Sequence, residues 1–450
     1  MHDSTRGLPT QGLPTQGLST QRLKVAFVVH EFPVLSETFV INQATGLLDR
    51  GCDVDILTTR LGDVDKVHPD VEKYNLLAHT HVLPSVPQNY VKRIARGLGI
   101  VVRHGRQQGV EIMRSLNPFT RGIRALSLWS LCTVVAARDW ASYDIIHCQF
   151  GNLGFYGEVL RDFSPATKLV VMFRGFDISQ QVKREGDRLY RSLFSQADLF
   201  LTNCEFFRQR LLAMGAPPER TKVHYSGLDS AKFPLALRHY DSDSDGPIRI
   251  ASTGRLVEKK GFEYCIRAIA QLTKTYPHLS YQIMGDGPLR EQLSALILEL
   301  GLTETVQLLG WCDEAEIVQV LARSHLFIAP SITSAEGNQD APINVLKEAM
   351  ALGLPVVSTT HGGIPELVEH DVSGLLVPER DSSAIAQALT KLIEQPERWL
   401  DMGKAGRAYV ETHYDLNNLN DRLIEVYQML IDEEGEDSLP TRSQFSPIQA

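Results

Sequence analysis

The chain is predicted to be an α/β protein of two doubly wound, Rossmann-like domains facing each other across a cleft. Three observations carry that expectation. Short, nearly continuous apolar runs recur with helix-period segments between them, the pattern of buried parallel strands and their crossover helices. The alternation forms two series, interrupted once by a polar stretch at residues 227–247. A chain of 450 residues also exceeds what one core comfortably organises, which favours two domains.

Residues 1–22 hold three near-copies of Gly-Leu-Pro-Thr-Gln, a composition that cannot build a core and is expected to be a disordered tail. The first domain is expected over 23–226. Its opening strand at 23–29 leads through a loop into a helix ending near Asp49, with Ser36 as candidate N-cap, and Gly51 stops the helix before a strand at 52–58. Further strands are expected at 144–148, 168–173, 197–202 and 222–225. Residues 88–140 read as a helical insertion of different character. From Lys92 to Arg138 it carries nine Lys and Arg against Glu111, with apolar residues interleaved. Basic amphipathic helices of this kind either lie on anionic lipid or form a solvated insertion.

Residues 227–247 are expected to be a linker. The run Asp241-Ser-Asp-Ser-Asp-Gly starts like a calcium loop, but no Glu stands at its twelfth position and no helices flank it. The second domain is expected over 248–412, with strands at 248–253, 280–284, 305–309, 325–329, 354–358 and 374–377. Helices are expected at 288–300, 313–323, 342–352 and 381–394. Segment 413–432 has a helical apolar pattern over 416–432, and 433–450 reads as a disordered tail.

Chemistry concentrates in the second series. Gly254-Arg-Leu-Val-Glu-Lys-Lys-Gly261 lies between a strand and a helix, where free backbone N–H groups and the helix dipole favour an anion. Arg255 and Lys260 add a planar donor fork and a compact cation, a pair suited to a diphosphate without a metal. Asp340 and Glu348 are expected on one helix, about 12 Å apart at its rise per residue, the span from the sugar to the ribose of a nucleotide sugar. Glycine-rich turns at 284–290 and 361–366 also follow strands, and no dinucleotide fingerprint GxGxxG is present. The net charge of −9 argues against a nucleic-acid partner for the chain as a whole. Six scattered cysteines without CxxC spacing fit a reducing cytosol. No secretory signal or spanning run is evident, so any membrane contact is expected to be peripheral.

Taken together, Gly254-Arg255-Leu256 with Lys260-Gly261, Gly285-Asp-Gly-Pro288, the acid-x7-Glu element ending at Glu348, Gly362-Gly363-Ile-Pro-Glu366 and Gly374-Leu-Leu-Val-Pro378 resemble the family-4 retaining glycosyltransferases. The resemblance spans residues 23–432. It implies a GT-B fold, sugar transfer from a nucleotide sugar with retention, no catalytic metal or cofactor, and a last helix crossing back to the first domain. It implies donor binding by Gly254, Arg255, Lys260, Gly285, Asp340, Ile343, Asn344 and Glu348, with Arg255, Lys260, Asp340 and Arg174 as catalytic residues. Asp340 stands where the family usually has Glu, and Arg174-Gly175 where it often has His-Gly. The run from Phe32 to Phe39 is similar to the bacterial exopolysaccharide subgroup and places Ser36, Glu37 and Thr38 near the cleft; His147 and Asp177 are further acceptor-side candidates. The partners implied are a nucleotide-sugar donor, a saccharide or lipid-linked oligosaccharide acceptor, and an anionic membrane surface at the inner face. A nucleotide-sugar epimerase and a non-catalytic sugar-nucleotide sensor are the alternatives.

Overall fold

The computed structural model describes residues 22–35, 37–137, 143–236, 238, 240 and 246–432. Residues 1–21 and 433–450 of the expected tails, Ser36, Arg138 and the aspartates of the calcium-like run lie outside the described residues.

Two parallel sheets form. The first comprises β1 (Lys24–Phe32), β2 (Asp53–Leu61), β3 (Thr80–Val82), β4 (Ile145–Cys148), β5 (Lys168–Phe173), β6 (Leu199–Thr202) and β7 (Thr221–Val223), in the order β3-β2-β1-β4-β5-β6-β7. The second comprises β8 (Ile248–Thr253), β9 (Leu279–Met284), β10 (Val306–Gly310), β11 (Leu326–Ala329), β12 (Val356–Thr359) and β13 (Gly374–Val377), in the order β10-β9-β8-β11-β12-β13. Each order reverses once, between β1 and β4 and between β8 and β11. Open α/β sheets bind ligands beyond the carboxyl ends of the strands at such a reversal. The central strands are buried on both faces, as their unbroken apolar runs require: residues 25–29 of β1 and 326–329 of β11 are all buried.

Strand β3 was not expected. Three residues with Val82 exposed leave no apolar run to detect, and pairing to Ile56, Leu57 and Thr58 alone defines it. The helix Thr38–Asp49 is entered through Glu37, which makes no side-chain cap bond. The helix Asn344–Ala351 starts later than expected, so Asp340 is not on it. Pro342 disfavours helical geometry at the residue before it, and the chain from Pro330 to Ile343 is irregular. The helical ruler between Asp340 and Glu348 is therefore wrong. Helix Glu314–Arg323 carries a capping box from Asp313 and Glu316.

The last helix, Leu416–Asp432, crosses back onto the first sheet's helix Thr38–Asp49. A Cβ on Gly46 would fall 1.9 Å from the Asn420 side chain, so glycine allows the close crossing. Arg50 donates to Asp421 Oδ1 at 2.5 Å and to the Asn417 carbonyl at 2.9 Å. Residues 90–137 fold into the helices Tyr90–His104, Gly109–Ser115, Pro118–Arg121, Ile123–Leu126 and Trp129–Ala137. They dock on helix Gly154–Arg161 through a small core of Ile100, Ile112, Leu131 and Val159. Two of the segment's basic residues serve that anchorage rather than an outward face. Arg121 is buried against Glu158 at 2.8 Å and Asp162 at 2.5 Å, and Arg124 covers the Phe155 ring at 3.5 Å. No helix among the described residues is long and apolar enough to cross a membrane.

Candidate active site

The loop after β8 turns sharply at Gly254 and re-enters helix Phe262–Leu272 through a short turn at Glu258–Lys260. Gly261 is left-handed (φ +64°), and a Cβ there would lie 2.1 Å from the Pro330 carbonyl. That approach presses the lysines against the segment following β11. Gly285 and Gly287 are structural in the same sense, since Cβ atoms on them would fall 2.0 and 2.6 Å from the backbone of Gly254 and Leu256. The glycine-rich turn after β9 thus props the loop after β8, and the Leu256 N–H bonds the Asp286 carbonyl at 2.9 Å.

At the reversal point the two loops meet in a charged cluster. Lys259 Nζ and Lys260 Nζ each lie 2.8 Å from an oxygen of Asp340, one on Oδ1 and one on Oδ2. Burial pushes the Asp340 carboxyl up, but Lys260 and Lys259 outweigh it and hold it well below the usual carboxylate range. The Asp340 N–H donates to His361 Nε2 at 2.9 Å, and His361 Nδ1 lies 2.6 Å from Glu379. Because Nε2 accepts, the neutral ring carries its proton on Nδ1 and donates to Glu379. Glu379 also accepts the Thr333 N–H at 2.7 Å. A Cβ on Gly362 would fall 2.0 Å from the Asp340 carbonyl, so the turn at 361–363 fits against this backbone.

Arg255 is exposed and has no side-chain partner among the described residues. Glu348 is half-buried without a hydrogen-bond partner among them, and burial, helped by Glu314 and opposed by Lys347, raises its carboxyl to about 7. Ile343 and Asn344 form the entrance of that helix, where no side chain caps the first N–H groups. The adjacent Lys347 is buried, donates to the Ser226 carbonyl at 2.7 Å, and is lowered to about 7 by burial, with Glu348 opposing.

The first-domain candidates fare differently. Arg174 is buried, covering the Phe39 ring at 3.9 Å and donating to Ser226 Oγ at 3.0 Å, Gln43 Oε1 at 3.3 Å and Gln149 Oε1 at 2.5 Å. Burial lowers it to about 9, with Asp177 and Glu37 opposing. Its Nε, Nη1 and Nη2 atoms all donate to protein groups, so in this structure Arg174 joins the loops around the first crevice. Asp177 is fully buried and accepts the N–H groups of Gly151, Arg174, Gly175 and Ile178. It joins two loops. His147 is fully buried in β4, with Nδ1 2.6 Å from Tyr427 of the last helix. It is a core residue, and burial holds it well below its usual range. Thr38 is half-buried in the first helical turn. Glu37 keeps one buried oxygen unpartnered, and burial raises it to about 7 against Arg174.

Sequence reasoning missed Lys259, the His361–Glu379 pair and the segment from Ala335 to Gln339. That segment bridges the halves: Gln339 takes Arg210 Nη1 at 2.7 Å, and Asn338 Nδ2 donates to Gln180 at 3.0 Å. Glu366 also reaches across, accepting the N–H groups of Glu205 and Phe206 at 2.7 Å each. Only Glu379 had a readable signal, a carboxylate just beyond a parallel strand.

Comparison with known proteins gives the family. The model of glycosyl transferases group 1 matches residues 240–409, and that of the glycosyl transferase 4-like domain matches residues 36–227. The chain is 35% identical over 411 residues to the amylovoran biosynthesis glycosyltransferase AmsK of Erwinia amylovora, covering 91% of this chain and 100% of that one. It is 34% identical, with the same coverage, to the putative colanic acid biosynthesis glycosyltransferase WcaL of Escherichia coli. Its fold is similar to that of Anabaena Alr3699/HepE, crystallised with UDP, at a TM-score of 0.67 and 21% identity over 90% of this chain and 100% of that one. Neither the epimerase nor the sensor reading finds support among these relatives. A charged cluster at the reversal point of one GT-B half, braced against the other, and kinship along nine-tenths of the chain lead to one conclusion: the protein belongs to the group 1 glycosyltransferases, in the family of the amylovoran and colanic acid biosynthesis enzymes.

Proposed function

We propose that the protein transfers a hexosyl group from a nucleotide sugar, with retention and without a metal, to a lipid-linked saccharide during bacterial exopolysaccharide assembly. The observation that carries this reading is the Lys259–Asp340–Lys260 cluster at the reversal point of the second sheet. Two ammonium groups and the open fork of Arg255 supply cations for a diphosphate. Glu348, ionised, accepts the vicinal hydroxyls of ribose. Asp340 lies between the lysines, where it orients them and meets the sugar.

In the reaction the bond from the anomeric carbon to the diphosphate oxygen breaks and a bond to the acceptor oxygen forms on the same face. The acceptor proton passes to the departing phosphate, whose growing negative charge Lys259, Lys260 and Arg255 stabilise. The names of the relatives support exopolysaccharide assembly, and the basic segment at 92–124 supports an acceptor held at a lipid surface. The test is incubation of the protein with a panel of nucleotide sugars and a lipid extract in the presence of EDTA. A glycosylated lipid with the donor's anomeric configuration is expected; a product of inverted configuration, or turnover that returns only with Mg²⁺ or Mn²⁺, would overturn it.

A further inference from the structure

We infer that the outer face of residues 90–126 is a docking surface for an anionic lipid bilayer. The inference rests on the proposed function only for what docking achieves, not for the surface itself.

In the helix Tyr90–His104 the apolar residues are on the wrong side for a globular protein. Projected at about 100° per residue, Val91, Ile94, Leu98, Val101 and Val102 fall in one arc of about 100°, a full amphipathic face. Every one of them is exposed, Val102 at 84% and Val91 at 71%. The helix packs by the other arc instead, through Gly97 and Ile100, with Leu131 approaching so closely that a Cβ on Gly97 would lie 2.9 Å from it. The following short helices repeat the pattern: Ile112 and Ala125 point inward, while Met113 (75%), Phe119 (96%), Ile123 (78%) and Leu126 point out. Tyr90 Oη donates to the Leu126 carbonyl at 3.2 Å and Arg93 to that of Ser127 at 3.3 Å, which sets the last of these turns beside the start of the long helix. Soluble monomers rarely leave so many large apolar side chains together in water.

Charge selects the occupant. Of the basic residues here, Arg93 and Arg96 donate to backbone carbonyls of Pro87 and Ser85, and Arg121 and Arg124 hold the insertion to the helices Gly154–Arg161 and Arg191–Gln196. That leaves Lys92, Arg103, Arg106 and Arg114, all exposed and without a hydrogen bond or ion pair among the described residues, Arg114 acting on Asp162 only at longer range. Four unpaired cations around an apolar face, on a chain of net charge −9, match a surface of lipid phosphates over hydrocarbon. A second copy meeting through this same face would set those cations against their own kind. Insertion to headgroup depth fits helices too short and charged to span. Docking would hold the cleft at the membrane, where a lipid-linked acceptor is confined.

The experiment floats the full chain with phosphatidylcholine vesicles, with and without phosphatidylglycerol. One variant carries Val102→Glu, Met113→Glu and Phe119→Glu; the other carries Lys92→Gln, Arg103→Gln, Arg106→Gln and Arg114→Gln. Wild type should float with the anionic vesicles and release at high salt, and both variants should bind about tenfold more weakly or worse. Their unfolding midpoints and their stabilisation by a nucleoside diphosphate should match wild type, since none of these side chains supports the core. Equal flotation of all three proteins, or none, overturns the inference. So does a wild-type dimer in sedimentation that both variants disperse while vesicles are ignored, which assigns the face to a second copy. The two proposals fail separately: a chain that binds vesicles but transfers no sugar keeps this surface and loses the proposed activity, whereas transfer to a soluble acceptor without vesicle binding does the reverse.

Discussion

The crevices of the two sheets have the same strand reversal, yet, apart from Glu37 with its one unpartnered oxygen, the polar groups of the first are satisfied where those of the second are open. Beyond β4 and β5, Arg174, Asp177 and Gln149 bond one another and the backbone, and nothing charged among them faces outward. Beyond β8 and β11, Arg255 is exposed, Lys259 and Lys260 share one carboxylate, and Glu348 has no partner among the described residues. The first arrangement is a buried network whose value lies in holding loops together. The second is a set of charges whose interactions a ligand can complete. A shared strand reversal therefore does not imply shared use; the state of satisfaction of the side chains separates scaffold from site.

The largest effect should come from breaking the scaffold. Arg174→Met leaves Gln43, Gln149 and Ser226 without their shared donor and should lower stability by about 3 kcal/mol in urea unfolding. Nucleoside diphosphate affinity of the folded protein should stay near wild type. An affinity collapse at unchanged stability would instead make Arg174 a donor ligand.

Next comes the site itself. Lys260→Ala removes a charge-assisted contact of roughly 1.5–3 kcal/mol, so calorimetry should show nucleoside diphosphate binding about ten- to a hundredfold weaker. Stability should fall as well, because the removed ammonium helps keep the buried Asp340 carboxylate charged, so affinity is compared under conditions where both proteins are folded. Unchanged affinity in both Lys260→Ala and Lys259→Ala would locate the diphosphate elsewhere.

A smaller, several-fold effect should follow pH. Glu348, raised to about 7, is largely protonated below that value and accepts fewer hydrogen bonds, so donor affinity should rise as pH rises through neutrality. Glu37 and Lys347 also shift toward about 7, so the diagnostic is Glu348→Gln, which should flatten the profile. The same raised value sets the sign for stability: between the ordinary 4.5 and about 7 the folded state holds the proton that the unfolded state has lost, and this group's contribution falls as pH rises.

The smallest effect tests the bracing between the halves. Glu366→Gln keeps the shape but weakens the cap on helix Glu205–Ala213 and should cost about 1 kcal/mol or less, read from the thermal midpoint. No change in midpoint would mean the cap contributes nothing to holding the halves together.

Much of this was legible in residues 248–377. Buried parallel strands need unbroken apolar runs, and the loops after them need glycine where backbones touch, so Gly261, Gly285 and Gly362 announced the close approaches. The edge strand β3 was not legible, because it depends on pairing alone, whereas the exclusion of Asp340 from the helix was legible, because Pro342 disfavours helical geometry at Ala341.

The sequence by itself determined the two α/β series, the basic loop after β8 and the unusual charge of residues 92–138, because periodicity, glycine placement and local composition are properties of neighbours along the chain. Only the tertiary structure decided that Asp340 pairs with two lysines and that Arg174 and Asp177 bond inward. It also decided which apolar and basic residues of the insertion face water. Those facts depend on which side of an element is covered by a segment distant in sequence, and burial and partnership, unlike pattern, arise only when distant segments meet.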